Sequence, residues 1–192
     1  GPALPPPAPG SFLLGMPGLA APTVGRSVAL VGVHSHDGGA FGLVVSRMLD
    51  VDLCEFLVEI GEEPVGDELP EVLAGGPVQP SHGFVLFERD DREAPAEEDI
   101  AISDTISVSG STETLARLAG GSTGGRYFLL LGYSGWHPGQ LEREIEDNSW
   151  VVAPLDTSIL FDVPAEERWA DALRSIGIEP GTVVVTEAGE RS

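Results

Sequence analysis

The 192 residues hold 31 Asp and Glu against 10 Arg and no Lys, a formal charge of −21, with 42% hydrophobic content. This size suits one domain with a sizeable core. Affinity for nucleic acid rests largely on Lys and Arg neutralising phosphates, so the charge argues against direct contact with DNA or RNA. The densest basic spot, Arg89-Asp90-Asp91-Arg92-Glu93, is cancelled by its own acids.

In chain order, residues 1–11 are proline-rich and are expected to form an extended, disordered leader, with Gly1-Pro2 reading as a cleavage scar. Residues 12–189 are expected to be a single domain. The apolar run at 12–20 is short, broken by Gly15, Pro17 and Gly18, and lacks a basic flank. It therefore reads as neither signal peptide nor membrane span, and a cytoplasmic location is the default expectation.

Residues 27–33 and 41–46 are β-branched and apolar around His36-Asp37-Gly38-Gly39, which predicts a hairpin. Leu53, Phe56, Leu57 and Ile60 recur at helical spacing and predict an amphipathic helix over 51–60 ending at Gly61. Cys54, the only cysteine, falls on that helix among acids and is expected to be a core residue rather than a nucleophile. Gly75-Gly76-Pro77 predicts a turn, residues 83–88 a strand, and residues 90–99 an acidic loop. Short strands are expected near 100–102 and 105–108. Ser111 then caps a helix that stops at Gly120-Gly121.

The strongest strand signal is 126–131, followed by an aromatic turn at Gly132-Tyr133-Ser134-Gly135-Trp136 and a helix over 138–148. Strands are expected at 150–153 and 158–161. A last helix from Pro164 to residue 175 or 176 carries Trp169, Leu173 and Ile176 at i, i+4, i+7, and a terminal strand is expected at 182–186. Strands in pairs and triplets favour α+β over a doubly wound sheet.

Four segments offer chemistry, each beside a plainer reading. Ser134 has the strand-turn-helix context of a nucleophile elbow, but Trp136 stands where the elbow needs Gly, so a structural turn is favoured. His34-Ser35-His36-Asp37 could begin a metal site, yet it lacks third and fourth ligands. The Gly-rich loop at 120–125 enters a strand and no Lys follows it, so it fails as a phosphate loop. On the helix after Pro138, Gln140, Glu144, Asp147 and Asn148 share a face at about 100° per residue. That face either meets water or, beside Tyr133, Trp136 and Trp150, lines a cleft.

Taken jointly, several segments resemble the YqgE/AlgH family of bacterial proteins, over most of the chain from Phe12 to Gly189. The sharpest are Gly132-Tyr133, Trp136, Gly139-Gln140-Leu141-Glu142, Glu144-Ile145, Asp147-Asn148, Trp150 and Ile159-Leu160-Phe161. Others are Gly75-Gly76-Pro77-Val78, Gly83-Phe84, Met16-Pro17, Arg26-Ser27-Val28, His34 with Gly39-Ala40 and Gly42, and Arg168-Trp169. The chain departs from the family pattern at Val33, Ser46, Met48 and Ser134. The resemblance implies an α+β fold, a bifurcated β-structure with a small closed barrel surrounded by about four helices. It implies no known reaction, and the family's transcriptional-regulator label finds no legible helix-turn-helix here.

The expected ligand or partner surface is His34, Gly75, Gly76, Pro77, Tyr133, Trp136, Gln140, Glu144, Asn148 and Trp150. No catalytic residue, metal or cofactor is assigned. The leading reading is a non-catalytic binding or indirectly regulatory protein with a protein or small-molecule partner. One alternative is a hydrolase in which Glu142 or Glu144, Asp147 and a His converge. The other is a DNA-binding regulator, which the charge disfavours.

Overall fold

A computed structural model describes residues 8–17, 26–35, 37–63, 69–90, 93–121 and 125–183. Among these residues nine strands form one sheet: β1 (Ser11–Gly15), β2 (Val28–Ser35), β3 (Gly39–Val44), β4 (Val72–Ala74), β5 (Val78–Glu88), β6 (Ile100–Ala101), β7 (Ile106–Ser109), β8 (Tyr127–Trp136) and β9 (Trp150–Pro154). The hydrogen-bonded order is β6-β7-β5-β8-β3-β2-β1-β9. Every pair on this path is antiparallel, while β4 joins β8 in parallel.

Among the described residues, five named α-helices accompany the sheet: α1 (Leu53–Glu59), α2 (Thr112–Ala119), α3 (Gln140–Glu146), α4 (Thr157–Asp162) and α5 (Arg168–Ser175). A 3-10 turn at Ala165–Glu167 leads into α5.

The expected closed barrel is not present. The sheet is open, with its path ending on β6 and β9, and among the described residues no pairing joins those two. Closure requires strands long enough to continue the ladder in a consistent stagger, and β6 offers only two residues. Its neighbour β7 leads directly into α2, whose N-cap Ser111 accepts from the Glu113 N–H at 3.1 Å.

Alternation with period two divides the core between the two faces of the sheet. On β1, Phe12 and Leu14 face the cluster beneath α4 and α5, while Leu13 faces the cluster beneath α3. On β2, Val28 and Leu30 go with the first, Ala29 and Val31 with the second. A third cluster packs α1 and α2 through Leu53, Leu57, Leu115 and Leu118 against Val72, Val85 and Leu129. Buried Trp169 of α5 ties the first cluster to the backbone by donating to the Gly15 carbonyl at 2.8 Å.

Four local expectations need correction. Residues 158–161 are helical: Asp156 accepts from the Ser158 and Ile159 N–H groups and starts α4, so capping overrides the strand-like run of apolar residues. Residues 132–136 are not a turn but the second half of β8. Residues 180–183 form a helical turn, so the predicted terminal strand does not begin there, and the remainder of that segment lies outside the described residues. Cys54 is half-buried rather than in the core, because Leu53 and Leu57 take the inward positions of α1.

Candidate functional site

Strand β8 is divided at Gly132, and that division builds the site. Its first half, Leu129–Leu131, pairs with β4, while Ser134–Trp136 pairs with β3 along the same edge. On the opposite edge the β5 register jumps between Val78 and Gly83. Gly132 has φ +79 and sits against the Gly76 carbonyl, where any Cβ would collide. Only glycine meets both demands without strain. The Gly75-Gly76-Pro77 segment is thus held against the middle of β8, as a turn between β4 and β5.

Past this junction Trp136 points to the face covered by α3. Leu141 and Ile145 anchor α3 in the cluster that contains Trp136, Trp150 and Val152. The two indoles meet edge to face at 6.0 Å between ring centroids. Both are nearly buried, at 8% and 4% exposure, so their N–H groups need acceptors. A single atom serves both: Glu144 Oε1 accepts from Trp136 Nε1 at 3.1 Å and from Trp150 Nε1 at 3.0 Å. Gln140 Nε2 donates to Glu144 Oε2 at 2.8 Å, and Gln140 Oε1 accepts from the His137 N–H at 2.9 Å. The amide orientation follows from this network, since flipping it would set acceptor against acceptor.

A cavity of about 570 Å³ opens between this network and the β4–β5 turn. Gly76, Pro77, Trp136, Gln140, Glu144 and Trp150 all line it. Those are six of the ten positions singled out from sequence; the other four lie elsewhere. His34 pairs with Glu142, with Nε2 to Oε1 at 3.1 Å. Tyr133 turns to the other face of the sheet, among Phe41 and Phe84 with centroids at 5.2 and 5.9 Å. Asn148 is exposed with φ +63 and ends α3, donating its backbone N–H to the Ile145 carbonyl at 3.0 Å. Gly75 is buried behind the cavity wall.

Sequence reasoning missed Arg47, Val78, Met16 and Ser149, which also line the cavity. Met16 and Val78 carried a signal, within the Met16-Pro17 and Gly75-Gly76-Pro77-Val78 resemblances. Arg47 follows β3 and reaches the cavity because the Arg47 carbonyl accepts from the Ala74 N–H at 2.8 Å, which draws the two segments together.

Of the groups named for a hydrolase, Glu142 faces His34, while Glu144 and Asp147 line the cavity, where Glu144 accepts from two indoles and an amide. Among the described residues no three His, Cys, Asp or Glu side chains are grouped to hold a metal ion. His36 lies outside those residues. Ser134 Oγ donates to the Gly75 carbonyl at 3.4 Å, a strand-to-turn contact.

A second cavity, about 450 Å³, lies under α4 and is lined by Glu71, Arg126, Tyr127, Phe128, Phe161 and Arg168 among others. Arg168 is buried and donates to the Val163 and Val45 carbonyls at 3.0 and 2.6 Å. Burial pushes its guanidinium below the ordinary value, with nearby Glu71 and Glu166 opposing the shift. Burial likewise pushes the Tyr127 phenol up. Arg126 spans Glu88 and Asp162 across the cavity mouth.

The AlgH-like family model matches residues 12–181. The chain belongs to the AlgH-like family. Among its AlgH-like relatives, a UPF0301 protein of Anaeromyxobacter dehalogenans strain 2CP-C is 39% identical over 188 residues, covering 95% of this chain and 94% of the relative. Another, from Xylella fastidiosa strain M23, is 38% identical over 170 residues, covering 88% of each. The solution structure of the AlgH protein from Pseudomonas aeruginosa is similar at 31% identity, with TM-score 0.73 and 96% of each chain covered. A crystal structure of a Corynebacterium diphtheriae protein superposes with TM-score 0.73 at 23% identity, covering 96% of this chain and 93% of the other, a likeness of fold alone. No helix among the described residues of this AlgH-like chain is long and apolar enough to cross a membrane.

Proposed function

We propose that this AlgH-like chain is a non-catalytic binding protein, with any influence on gene expression exerted indirectly. Its binding site is the cavity between α3 and the β4–β5 turn. The observation that carries the reading is the state of Glu144. Its carboxylate is engaged by three N–H donors, which suits a fixed wall better than a proton shuttle. The volume of about 570 Å³ and a lining of indoles with a few convergent polar groups fit a small-molecule pocket.

Titrating a fragment library into the ¹⁵N-labelled chain tests this. Hits are expected to shift the indole N–H signals of Trp136 and Trp150, with every fragment recovered unchanged. Hits that map only elsewhere, or fragments converted to product, would overturn the proposal.

The indirect character of regulation rests on charge: −21 overall with no Lys. In a fluorescence anisotropy titration at physiological salt, duplex DNA is expected to bind no tighter than about 1–100 μM, the non-specific range. A sequence-selective nanomolar complex would restore the DNA-binding reading.

A further inference from the structure

We infer that the cavity beside α3 recognises a small organic ammonium compound, a primary amine carried on an apolar body. The inference rests on the binding reading above and names the chemistry of the occupant. Three features lead to it.

The first is the unequal loading of Glu144. Oε1 takes two indole donors, but Oε2 takes only the Gln140 amide. A carboxylate offers about four acceptor positions, so capacity for a further donor remains on Oε2. An ammonium group supplies N–H donors and positive charge together, giving the stronger charge-assisted bond.

The second is the balance of fixed charge around the cavity. Glu144 and Asp147 supply two carboxylates, and Arg47 supplies one cation. Position settles which sign dominates. Arg47 and Asp147 are both exposed to water and offset each other, whereas Glu144 is half-buried against two indoles. A charge beside low-dielectric walls acts further than a hydrated one. The −21 charge of the chain adds to this, drawing small cations towards the molecule and repelling anions.

The third is the nature of the walls. Trp136 and Trp150 present indoles, the aromatic side chains that attract cations best. Val44, Ala74 and Val78 continue the lining with apolar surface for the body of the ligand. Arg47 then selects within the class, because a second positive charge on the ligand would meet its guanidinium.

Three probes that share a phenyl body separate the terms: phenethylamine, the neutral phenethyl alcohol, and the anion 3-phenylpropionate. The chain has three tryptophans, and Trp169 is buried against Gly15 in another cluster, so its indole signal serves as an internal reference. Phenethylamine is expected to shift the Trp136 and Trp150 indole signals saturably and to leave Trp169 unmoved. Its Kd should be about tenfold lower than that of either other probe, a difference of about 1.4 kcal/mol. The preference should shrink as salt is raised.

Asp147→Asn removes an exposed charge and leaves the Glu144 network intact, so it should weaken amine binding several-fold without unfolding the chain. Amine binding unchanged in that variant would overturn the inference. So would 3-phenylpropionate binding as tightly as the amine at the same two indoles, an outcome that leaves the broader binding reading standing. Failure of all three probes to move the signals also overturns the ammonium assignment, and the fragment titration then decides the binding reading by itself.

Discussion

Truncating Trp150 to alanine is expected to lower the unfolding free energy by about 3–5 kcal/mol, the range for removing a large buried aromatic. Trp150 is 4% exposed and stacks edge to face on Trp136 at 6.0 Å. It also begins β9, where Trp150 pairs with Gly15 of β1. Domains of this kind are stable by about 5–15 kcal/mol, so the loss is a large share of the total. Trp150→Phe separates the contributions. It keeps most of the ring but drops the indole N–H donated to Glu144, and should cost about 1.5–3 kcal/mol, the range for a hydrogen bond to a charged group. Urea melts with unchanged m-values would measure both. If Trp150→Ala melts within about 1 kcal/mol of the parent, α3 does not depend on this indole and the packing account fails.

Gly132→Ala is expected to be at least as damaging, at roughly 4 kcal/mol or more, in the exceptional tail of point-mutant effects. Holding alanine at φ +79 accounts for about 1–3 kcal/mol of this. The rest comes from the new methyl group meeting the Gly76 carbonyl, a backbone atom that cannot rotate away. Relief requires the β4–β5 turn to lift off β8, which breaks the pairing on both sides. Gly135→Ala is the control: it has ordinary φ, its added Cβ would find only the Tyr133 ring at 3.8 Å, and its effect should stay within about 0.5 kcal/mol. Equal melting of the two variants would show that the close approach at Gly132 does not govern the fold.

Much of the fold was legible because local signals agreed with one another. The hairpin of β2 and β3, the Ser111 cap of α2 and the Trp169–Leu173 face of α5 each follow from spacing and end chemistry that the rest of the fold does not override. The run at 158–161 misled because Ile159, Leu160 and Phe161 read as strand by residue type, while Asp156, three residues before Ile159, decides the matter as a cap. The open sheet was hidden for a different reason. Whether two edge strands meet depends on β6 and β9, which are 49 residues apart between Ala101 and Trp150 and share no local signal.

The candidate site divides along the same line. Gln140, Glu144, Trp136 and Trp150 could be grouped from sequence because one helix and its two flanking strands carry them. His34, Tyr133 and Asn148 were grouped with them by type, but they point elsewhere: the period-two alternation of β8 sends Tyr133 to the face opposite Trp136. Arg47 was invisible, since only the pairing of the segment after β3 with β4 brings it to the cavity.

The split in β8 has a further consequence. One continuous strand supplies both the packing beneath α1 and α2, through Leu129, and the indole wall of the cavity, through Trp136. A slip of one residue anywhere along it would exchange the two faces and remove that wall. Opening of the pocket is therefore expected to be coupled to the rest of the sheet. An occupant that holds Trp136 in place should slow amide hydrogen exchange as far away as Leu130, so occupancy would be read by the whole molecule as resistance to unfolding.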